Sequence, residues 1–117
     1  MTKEELENRL IDFSVIIINI SENLKDSRAG NYFAGQIVRS GSSPALNYGE
    51  AQAAESKKDF IHKMKICLKE LRETFVALKI IKRADLHLDY PRIDDATKEC
   101  DELISIFVAS VNTAQSH

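Results

Sequence analysis

The chain has 117 residues, 44% of them hydrophobic, so it can bury a core of its own and we expect one domain over residues 1–117. Its formal net charge of −2 excludes a globally basic surface of the kind that attracts nucleic acid. The first turn, MTKEELE, is acidic where a signal peptide is basic, and the longest branched aliphatic run, 15–18, is too short to cross a bilayer. We therefore expect a cytoplasmic protein without a membrane partner, whose Cys67 and Cys100 are reduced and buried.

The first predicted helix covers about residues 3–26. Thr2 and Glu5 form a capping-box pattern at its start. A row of apolar residues follows at spacings of four and three, and it consists of Leu6, Leu10, Phe13, Ile17, Ile20 and Leu24. Ile11, Val15 and Ile18 form a second apolar row on another face. A monomeric bundle helix needs one apolar face, so the second row predicts contact with another subunit; the alternative is one broad surface facing the core.

The second predicted helix covers about residues 31–54. All four glycines of the chain lie between positions 30 and 49, and each glycine costs about 1 kcal/mol relative to alanine in a helix. Helical periodicity nevertheless persists in two rows of residues. The apolar row includes Phe33, Ile37, Pro44, Tyr48 and Ala51. The polar row includes Ser40, Ser43, Asn47 and Glu50. We therefore predict one helix that bends at Pro44. The competing interpretation ends a helix at Gly41 and starts another with Ser43 as its N-cap.

The third predicted helix covers about residues 57–82, and the fourth covers about 91–112. Ser56 and Asp59 form an N-cap pattern before the third, and Pro91 suits the first turn of the fourth. Both helices have apolar rows at helical spacing. The row of the third helix includes Phe60, Met64, Cys67, Leu71, Leu78 and Ile81. The row of the fourth helix includes Ile93, Ala96, Cys100, Leu103 and Phe107. The four patterns predict an all-α, up-down-up-down antiparallel four-helix bundle.

Charge is concentrated in the third helix. Residues 56–83 carry nine basic and three acidic side chains, whereas residues 84–117 carry two and seven. One hypothesis is a surface that contacts the phosphates of RNA or DNA. Its candidate residues are Lys57, Lys58, Lys63, Lys65, Lys69 and Arg72, followed by Lys79, Lys82 and Arg83. The alternative is that these cations face the acidic fourth helix, or its copy in another subunit.

Enzymatic chemistry has little support in the sequence. Asp59 and His62 have the spacing used by carboxylate-bridged dimetal bundles, but such sites need two of these pairs and further carboxylates. Ser40, Ser42 and Ser43 have no base placed beside them by a recognisable motif. We therefore expect no enzyme activity, no metal and no cofactor.

The second helix also carries a likeness to a known family. Its residues Arg39-Ser40, Ser43, Asn47 and Glu50-Ala51 resemble the Arg-Ser-x-x-Ser-x-x-x-Asn-x-x-Glu-Ala signature of the bacterial "four helix bundle protein" family, and KKDFIHKMKICLKELRET resembles that family's third helix. Members are often encoded within intervening sequences of the large ribosomal RNA gene. The resemblance implies a homopentamer and a distant relation to the nucleic-acid-binding accessory protein of diversity-generating retroelements. No enzymatic activity is established for the family.

The polar motif of this signature consists of Arg39, Ser43, Asn47 and Glu50, and it has two interpretations. We predict that these residues specify packing between helices or subunits, with Arg39 or Lys58 paired with Glu50. The other interpretation is a ligand or partner site lined by Ser43, Asn47 and Glu50. The expected function is that of a non-catalytic homo-oligomer that binds a macromolecule, either RNA or DNA through helix three or a protein partner through its surface. The alternative is a protein–protein scaffold without nucleic-acid binding.

Overall fold

The computed structural model describes residues 1–117 and contains four helices and no strand, which confirms the all-α fold. The helices are α1 (Lys3–Glu22), α2 (Arg28–Gln52), α3 (Lys57–Arg83) and α4 (Tyr90–Gln115). They pack into a body of 46 × 22 × 20 Å. None of them combines the length and the apolar character needed to cross a lipid bilayer.

Each helix begins at a side-chain cap, which satisfies a backbone N–H that the first turn leaves without a partner. The oxygens of Thr2, Ser27 and Ser56 each accept a hydrogen bond of 3.0 Å from the N–H three residues later. Asp89 does the same for the N–H of Arg92 at 3.2 Å. The cap patterns predicted at Thr2 and Ser56 are therefore confirmed.

The connection between α1 and α2 differs from the prediction. The sequence pattern placed the end of α1 at 26 and the start of α2 at 31, whereas α1 ends at Glu22 and α2 starts at Arg28. The missed signal was Ser27, whose backbone is extended at φ −154° and ψ 170°, as an N-cap requires. Leu24 lies in this connection and still packs against the core, so the apolar row outlasts the helix.

The remaining helix ends lie within one to three residues of the prediction. α2 ends at Gln52 rather than 54, and α3 ends at Arg83 rather than 82. α4 begins at Tyr90, one residue before the predicted start, and continues to Gln115, three residues past the predicted end. Terminal turns fray and carry weak sequence signals, so differences of this size are expected.

α2 runs without interruption past Pro44, so the interpretation as two helices is wrong. Ser43 lies inside the helix and caps no new one. Pro44 has no N–H to donate to the carbonyl of Ser40, which is the usual cost of a proline inside a helix. Its own carbonyl accepts a hydrogen bond from Sγ of Cys67 on α3, at 3.4 Å. The bend at Pro44 stays a prediction.

Consecutive helices pack against each other, and α4 returns to α1 to close the bundle. Arg9 near the start of α1 binds Glu99 in α4 at 2.6 Å. Asn19 near the end of α1 accepts a hydrogen bond of 2.6 Å from Arg92 at the start of α4. The contact that comes first along α1 comes second along α4. The two helices are therefore antiparallel, as in an up-down-up-down bundle.

The core runs along the whole bundle and contains the apolar rows predicted for the helices. Its largest fully buried side chains include Phe13, Ile17, Ile37, Leu71, Leu78, Ile93, Leu103 and Phe107. Cys67 and Cys100 are free and buried there, as predicted. Burial raises the pKa of each thiol to about 12, so both remain protonated at neutral pH.

Helices α1 and α2 approach each other closely at Gly41. Oγ of Ser14 donates a hydrogen bond of 3.2 Å to the carbonyl oxygen of Gly41. A Cβ atom at position 41 would lie 2.6 Å from Cγ2 of Ile17, which is closer than van der Waals contact allows. Gly49, on the same helix, has no atom within 4 Å of such a Cβ. The close approach therefore requires glycine at 41 and explains one of the glycines that a helix normally disfavours.

We expect Gly41→Ala and Gly49→Ala to have different effects on stability. Both substitutions remove the helix cost of glycine, about 1 kcal/mol. Only Gly41→Ala places a methyl group against Ile17, an overpacking that costs about 1–3 kcal/mol. Urea unfolding of the two variants should therefore differ in free energy by about that amount, with Gly41→Ala the less stable. Equal unfolding free energies would contradict the close approach of α1 and α2.

Two buried hydroxyl groups join α2 to α3. Ser40 is 1% exposed and Thr74 is fully buried, and their hydroxyl oxygens lie 2.8 Å apart. Oγ1 of Thr74 also lies 2.9 Å from the carbonyl oxygen of Glu70. A single hydroxyl hydrogen serves one of these contacts at a time, so Ser40 donates to Thr74 when Thr74 donates to Glu70.

Thr74→Val should therefore destabilise the protein more than a double variant does. The single substitution leaves the buried Ser40 hydroxyl without Thr74, which costs about 1–3 kcal/mol. Ser40→Ala combined with Thr74→Val removes both polar groups and should recover most of this loss. Urea unfolding of wild type, both single variants and the double variant measures the coupling. Additive effects would show that the hydroxyl pair contributes no interaction of its own.

Candidate functional site

The outward face of α3 carries a line of exposed cations that we name the α3 cation stripe. Its members are Lys58, Lys65, Lys69, Arg72, Lys79 and Arg83. Four of them, at positions 58, 65, 72 and 79, recur every seven residues, which is close to two turns of helix and keeps them on one face. From Lys58 to Arg83 the stripe extends about 38 Å at 1.5 Å per residue.

No member of the α3 cation stripe forms an ion pair within the chain. The predicted cations that do so lie beside the stripe: Lys63 is 3.6 Å from Glu50 of α2, and Lys82 is 2.7 Å from Asp94 of α4. Within the single chain, the alternative in which the basic residues face α4 therefore holds for Lys82 alone. Lys57 is exposed and also unpaired, but its helical position places it beside the stripe. The stripe presents six uncompensated positive charges to solvent.

Aromatic side chains are missing from the α3 cation stripe. Phe60 and Phe75 are partly buried and pack against the core, as their apolar rows predicted. Nζ of Lys79 lies 4.2 Å above the ring of Phe75, a cation–π contact that covers this ring. Recognition of single strands usually stacks bases on exposed aromatic rings. This surface offers point charges for phosphates and no platform for bases.

The predicted polar motif separates into three local contacts. Nδ2 of Asn47 donates to the carbonyl oxygen and to Oγ of Ser43, at 3.0 and 2.9 Å, within α2. Glu50 has a 61% exposed side chain and pairs with Lys63, rather than with Arg39 or Lys58 as expected. Ser43 and Asn47 are half-buried, and Glu50 lies on the surface. The structure does not bring Arg39 to the other three residues.

Arg39 instead joins α2 to two acids of α3. Its guanidinium lies 2.9 Å from Glu70 and 2.5 Å from Glu73. The hydrogen bond to Glu70, and then the charge of Glu70, raise the pKa of Arg39. Glu70 is only 7% exposed, so its carboxylate depends on this partner. Sequence reasoning missed both acids; the signal was their spacing of three in an otherwise basic helix.

The second apolar row of α1 faces solvent in the single chain. Ile11, Val15 and Ile18 are 44%, 59% and 42% exposed, so the alternative of one broad core-facing surface is wrong. On α2, Val38 and Leu46 are exposed as well. We name these five residues the outer apolar residues. Each of them is at least 36% exposed within the chain.

Asp59 and His62 do not form part of a larger ligand set. His62 is exposed, and no group of three or more histidine, cysteine or acidic side chains in the chain is placed to hold a metal ion. Asp59 lies in the first turn of α3, where a negative charge interacts favourably with the helix dipole. Asp59 therefore has a local structural role at the helix start.

The fold is similar to that of a solved protein. This is a protein of unknown function from the S23 ribosomal protein family of Bacteroides thetaiotaomicron VPI-5482, with a TM-score of 0.83 and 27% sequence identity. The similarity covers 96% of this chain and 99% of the other. No curated protein matches the chain.

The family model described as 23S rRNA-intervening sequence protein matches residues 3–109. This range includes all of α1, α2 and α3 and most of α4. The match confirms the resemblance that the signature in α2 indicated. The chain belongs to the 23S rRNA-intervening sequence protein family.

Proposed function

We propose that this protein is a non-catalytic, self-associating bundle that binds nucleic acid through the α3 cation stripe. The observation that carries the proposal is that six exposed cations share one helix face and none has an acidic partner in the chain. Like charges held close together repel one another, and a polyanion relieves this repulsion. Contact with phosphates also releases the counterions that the nucleic acid had condensed, which favours binding.

The distribution of charge sets where a polyanion binds. The chain is net acidic, and residues 84–117 carry seven acidic and two basic side chains. A nucleic acid is therefore repelled by the surface of α4 and attracted by the outer face of α3. Because the stripe has no aromatic residue, it contacts the backbone and reads no base sequence. The expected ligand is thus recognised by charge and shape.

Ribosomal RNA is the appropriate first ligand for a measurement. The name of the matching family refers to 23S rRNA, and the similar solved protein is assigned to a ribosomal protein family. These names guide the choice of RNA and carry no argument about affinity. A DNA duplex of equal length tests whether the contact is general to polyanions.

Self-association is the second part of the proposal. The outer apolar residues are exposed, and in α2 the outward Gly35 and Gly49 have open space where a Cβ would lie. Glycine inside a helix destabilises it unless a neighbour needs the room, and no neighbour within the chain does. A helix of a second copy would use both features. The resemblance implies a pentamer, which would repeat the cation stripe and raise the affinity through multivalency.

A protein partner is the alternative function, and a groove between α2 and α3 favours it. The groove has a volume of about 220 Å³. Its lining includes Tyr32, Val76 and Ile80, which are 60%, 55% and 42% exposed. Exposed apolar side chains grouped in this way are typical of protein-binding surfaces. In this alternative the protein is a scaffold and the cation stripe serves only its solvation.

We expect wild-type protein to have a mass several times that of the 13.2 kDa protomer, and five times for a pentamer. Light scattering coupled to size-exclusion chromatography measures it at micromolar concentration. The double variant Ile11→Lys with Val15→Lys should reduce the mass, because it would place two charges in the apolar contact proposed between copies of the chain. Asn112→Lys, at an exposed polar position of α4, is the matched control. A wild-type mass of one protomer would refute self-association.

RNA affinity should fall steeply as salt increases. Each phosphate contact contributes a slope of about −0.9 in log K against log salt for duplex DNA, and about −0.7 for single strands. Lys65→Glu with Lys69→Glu should weaken binding by at least about tenfold and flatten the slope without changing the oligomer. Lys98→Glu, an exposed cation of α4 outside the stripe, should have a much smaller effect.

Fluorescence anisotropy with a labelled 23S rRNA fragment and a DNA duplex gives these slopes. Absence of binding at about 50 mM salt, where phosphate contacts are strong, would remove nucleic acid from the proposal. Equal losses in the Lys98→Glu control and the stripe variant would instead remove α3 as the site. In the first case the protein scaffold becomes the favoured function.

A further inference from the structure

A cleft lies at the end of the bundle where the connection between α1 and α2 meets the connection between α3 and α4. Its volume is about 850 Å³. The backbone N–H of Lys25 donates a hydrogen bond of 2.8 Å to the carbonyl oxygen of Leu86, which ties the two connections together. Residues of both connections and of the facing ends of α1 and α4 line the cleft. Its walls are therefore held in place by the fold.

His87 lines this cleft and has an unusual hydrogen-bonding state. The side chain is 7% exposed, and its Nδ1 accepts a hydrogen bond of 3.2 Å from the backbone N–H of Asp89. In a neutral imidazole the proton then resides on Nε2. Nε2 is the one buried side-chain polar atom of the chain without a hydrogen-bond partner. A buried donor without an acceptor destabilises the fold, so an ordered water, or a ligand oxygen that reaches Nε2 through a small movement of the cleft wall, would stabilise it.

Positive groups accompany this donor. Lys25 is exposed and forms no ion pair, and Arg92 of α4 also lines the cleft, where its guanidinium binds Asn19 of α1 at 2.6 Å. Arg92 also belongs to the first turn of α4, whose N–H groups and dipole favour negative charge. These groups approach the cleft from different elements. A ligand with several oxygens arranged in three dimensions can contact all of them.

Two carboxylates also line the cleft, and both already have partners. Asp89 caps α4 and lies 3.5 Å from Nε of Arg92. Asp85 accepts a hydrogen bond from the hydroxyl of Tyr90. Their engagement leaves the ammonium of Lys25 and the N–H of His87 as the groups without a partner. The cleft therefore presents two donors that have no partner in the chain, beside two carboxylates that are already hydrogen-bonded.

We infer that this cleft binds a phosphate group, with His87, Lys25 and Arg92 as its donors. A phosphate supplies acceptor oxygens in a tetrahedral arrangement and favours Lys and Arg partners. The cleft is much larger than one phosphate, so the natural ligand is a phosphate ester on a larger molecule, or free phosphate with water. The inference does not rest on the proposed function, because none of the three residues belongs to the α3 cation stripe.

Titration with inorganic phosphate at constant ionic strength tests the site directly. We expect saturable shifts in the NMR signals of the His87 ring and the Asn23 side-chain amide, with a dissociation constant in the millimolar range or below, about 1 mM. Lys25→Gln should weaken binding at least about fivefold, because it removes a charge-assisted contact. Lys98→Gln removes an exposed charge outside the cleft and should leave the affinity unchanged.

The variant His87→Asn tests the role of the Nε2 donor separately from the role of His87 in the local fold. Asparagine can still accept the hydrogen bond from Asp89 through its side-chain oxygen, but it has no donor at the Nε2 position. We expect lost phosphate binding with a native spectrum. If this variant fails to fold, Lys25→Gln and the wild-type ring signal still decide the question.

A dinucleotide with a 5′-phosphate, compared with its 5′-hydroxyl form, identifies the source of the phosphate. If only the 5′-phosphate dinucleotide competes with inorganic phosphate, the ligand is a terminal phosphate ester. If neither dinucleotide competes, the ligand is free phosphate. Either result upholds the site. Absence of shifts up to about 10 mM phosphate would overturn the inference, as would equal weakening in Lys98→Gln. RNA binding that is lost in the α3 stripe variant and retained in Lys25→Gln would separate this site from the proposed function.

Discussion

The bundle depends on α2 fitting closely against two neighbours at once. On one side Gly41 lets α1 approach until Ile17 leaves no room for a Cβ atom. Within one turn, Ser40 and Pro44 place a hydroxyl and a carbonyl against Thr74 and Cys67 of α3. Poor helix formers therefore occupy the middle of a long helix because their small size lets the neighbouring helices approach. Their carbonyl oxygens also accept hydrogen bonds from those helices. Tertiary contacts overcome local helix propensity here.

Periodicity predicted the four helices and most of the core because both depend on spacing along one helix. The apolar rows containing Phe13, Leu71 and Phe107 are buried as predicted. The errors concerned the end of α1 and the start of α2, which do not depend on periodic spacing. Leu24 continues the apolar row after α1 has ended, and the N-cap Ser27 was overlooked. A helix end depends on one residue's backbone geometry, which a row of apolar residues does not report.

Pairwise contacts between helices were harder to predict than the helices themselves. The motif containing Arg39 and Glu50 was expected to act as a unit, but Arg39 binds Glu70 while Glu50 binds Lys63. The faces of a helix follow from its sequence, whereas the neighbour of each face depends on rotation and register between helices. Long side chains such as arginine reach several positions, so a spacing rule leaves their partner open.

The ion pairs of α3 also explain why its remaining cations are available. Glu70 and Glu73 lie on the side of α3 that faces α2, and both bind Arg39. These two acids therefore neutralise a charge from another helix and leave Lys65, Arg72 and their neighbours uncompensated on the outer face. A chain with a net charge of −2 thus keeps a strongly positive strip. Over distances comparable to the Debye length, about 8–10 Å at physiological salt, a polyanion responds to this local strip more than to the net charge of the protein. The proposed binding of nucleic acid by an acidic bundle consequently depends on this segregation of charge between helices, which is set by the packing of α2 on α3.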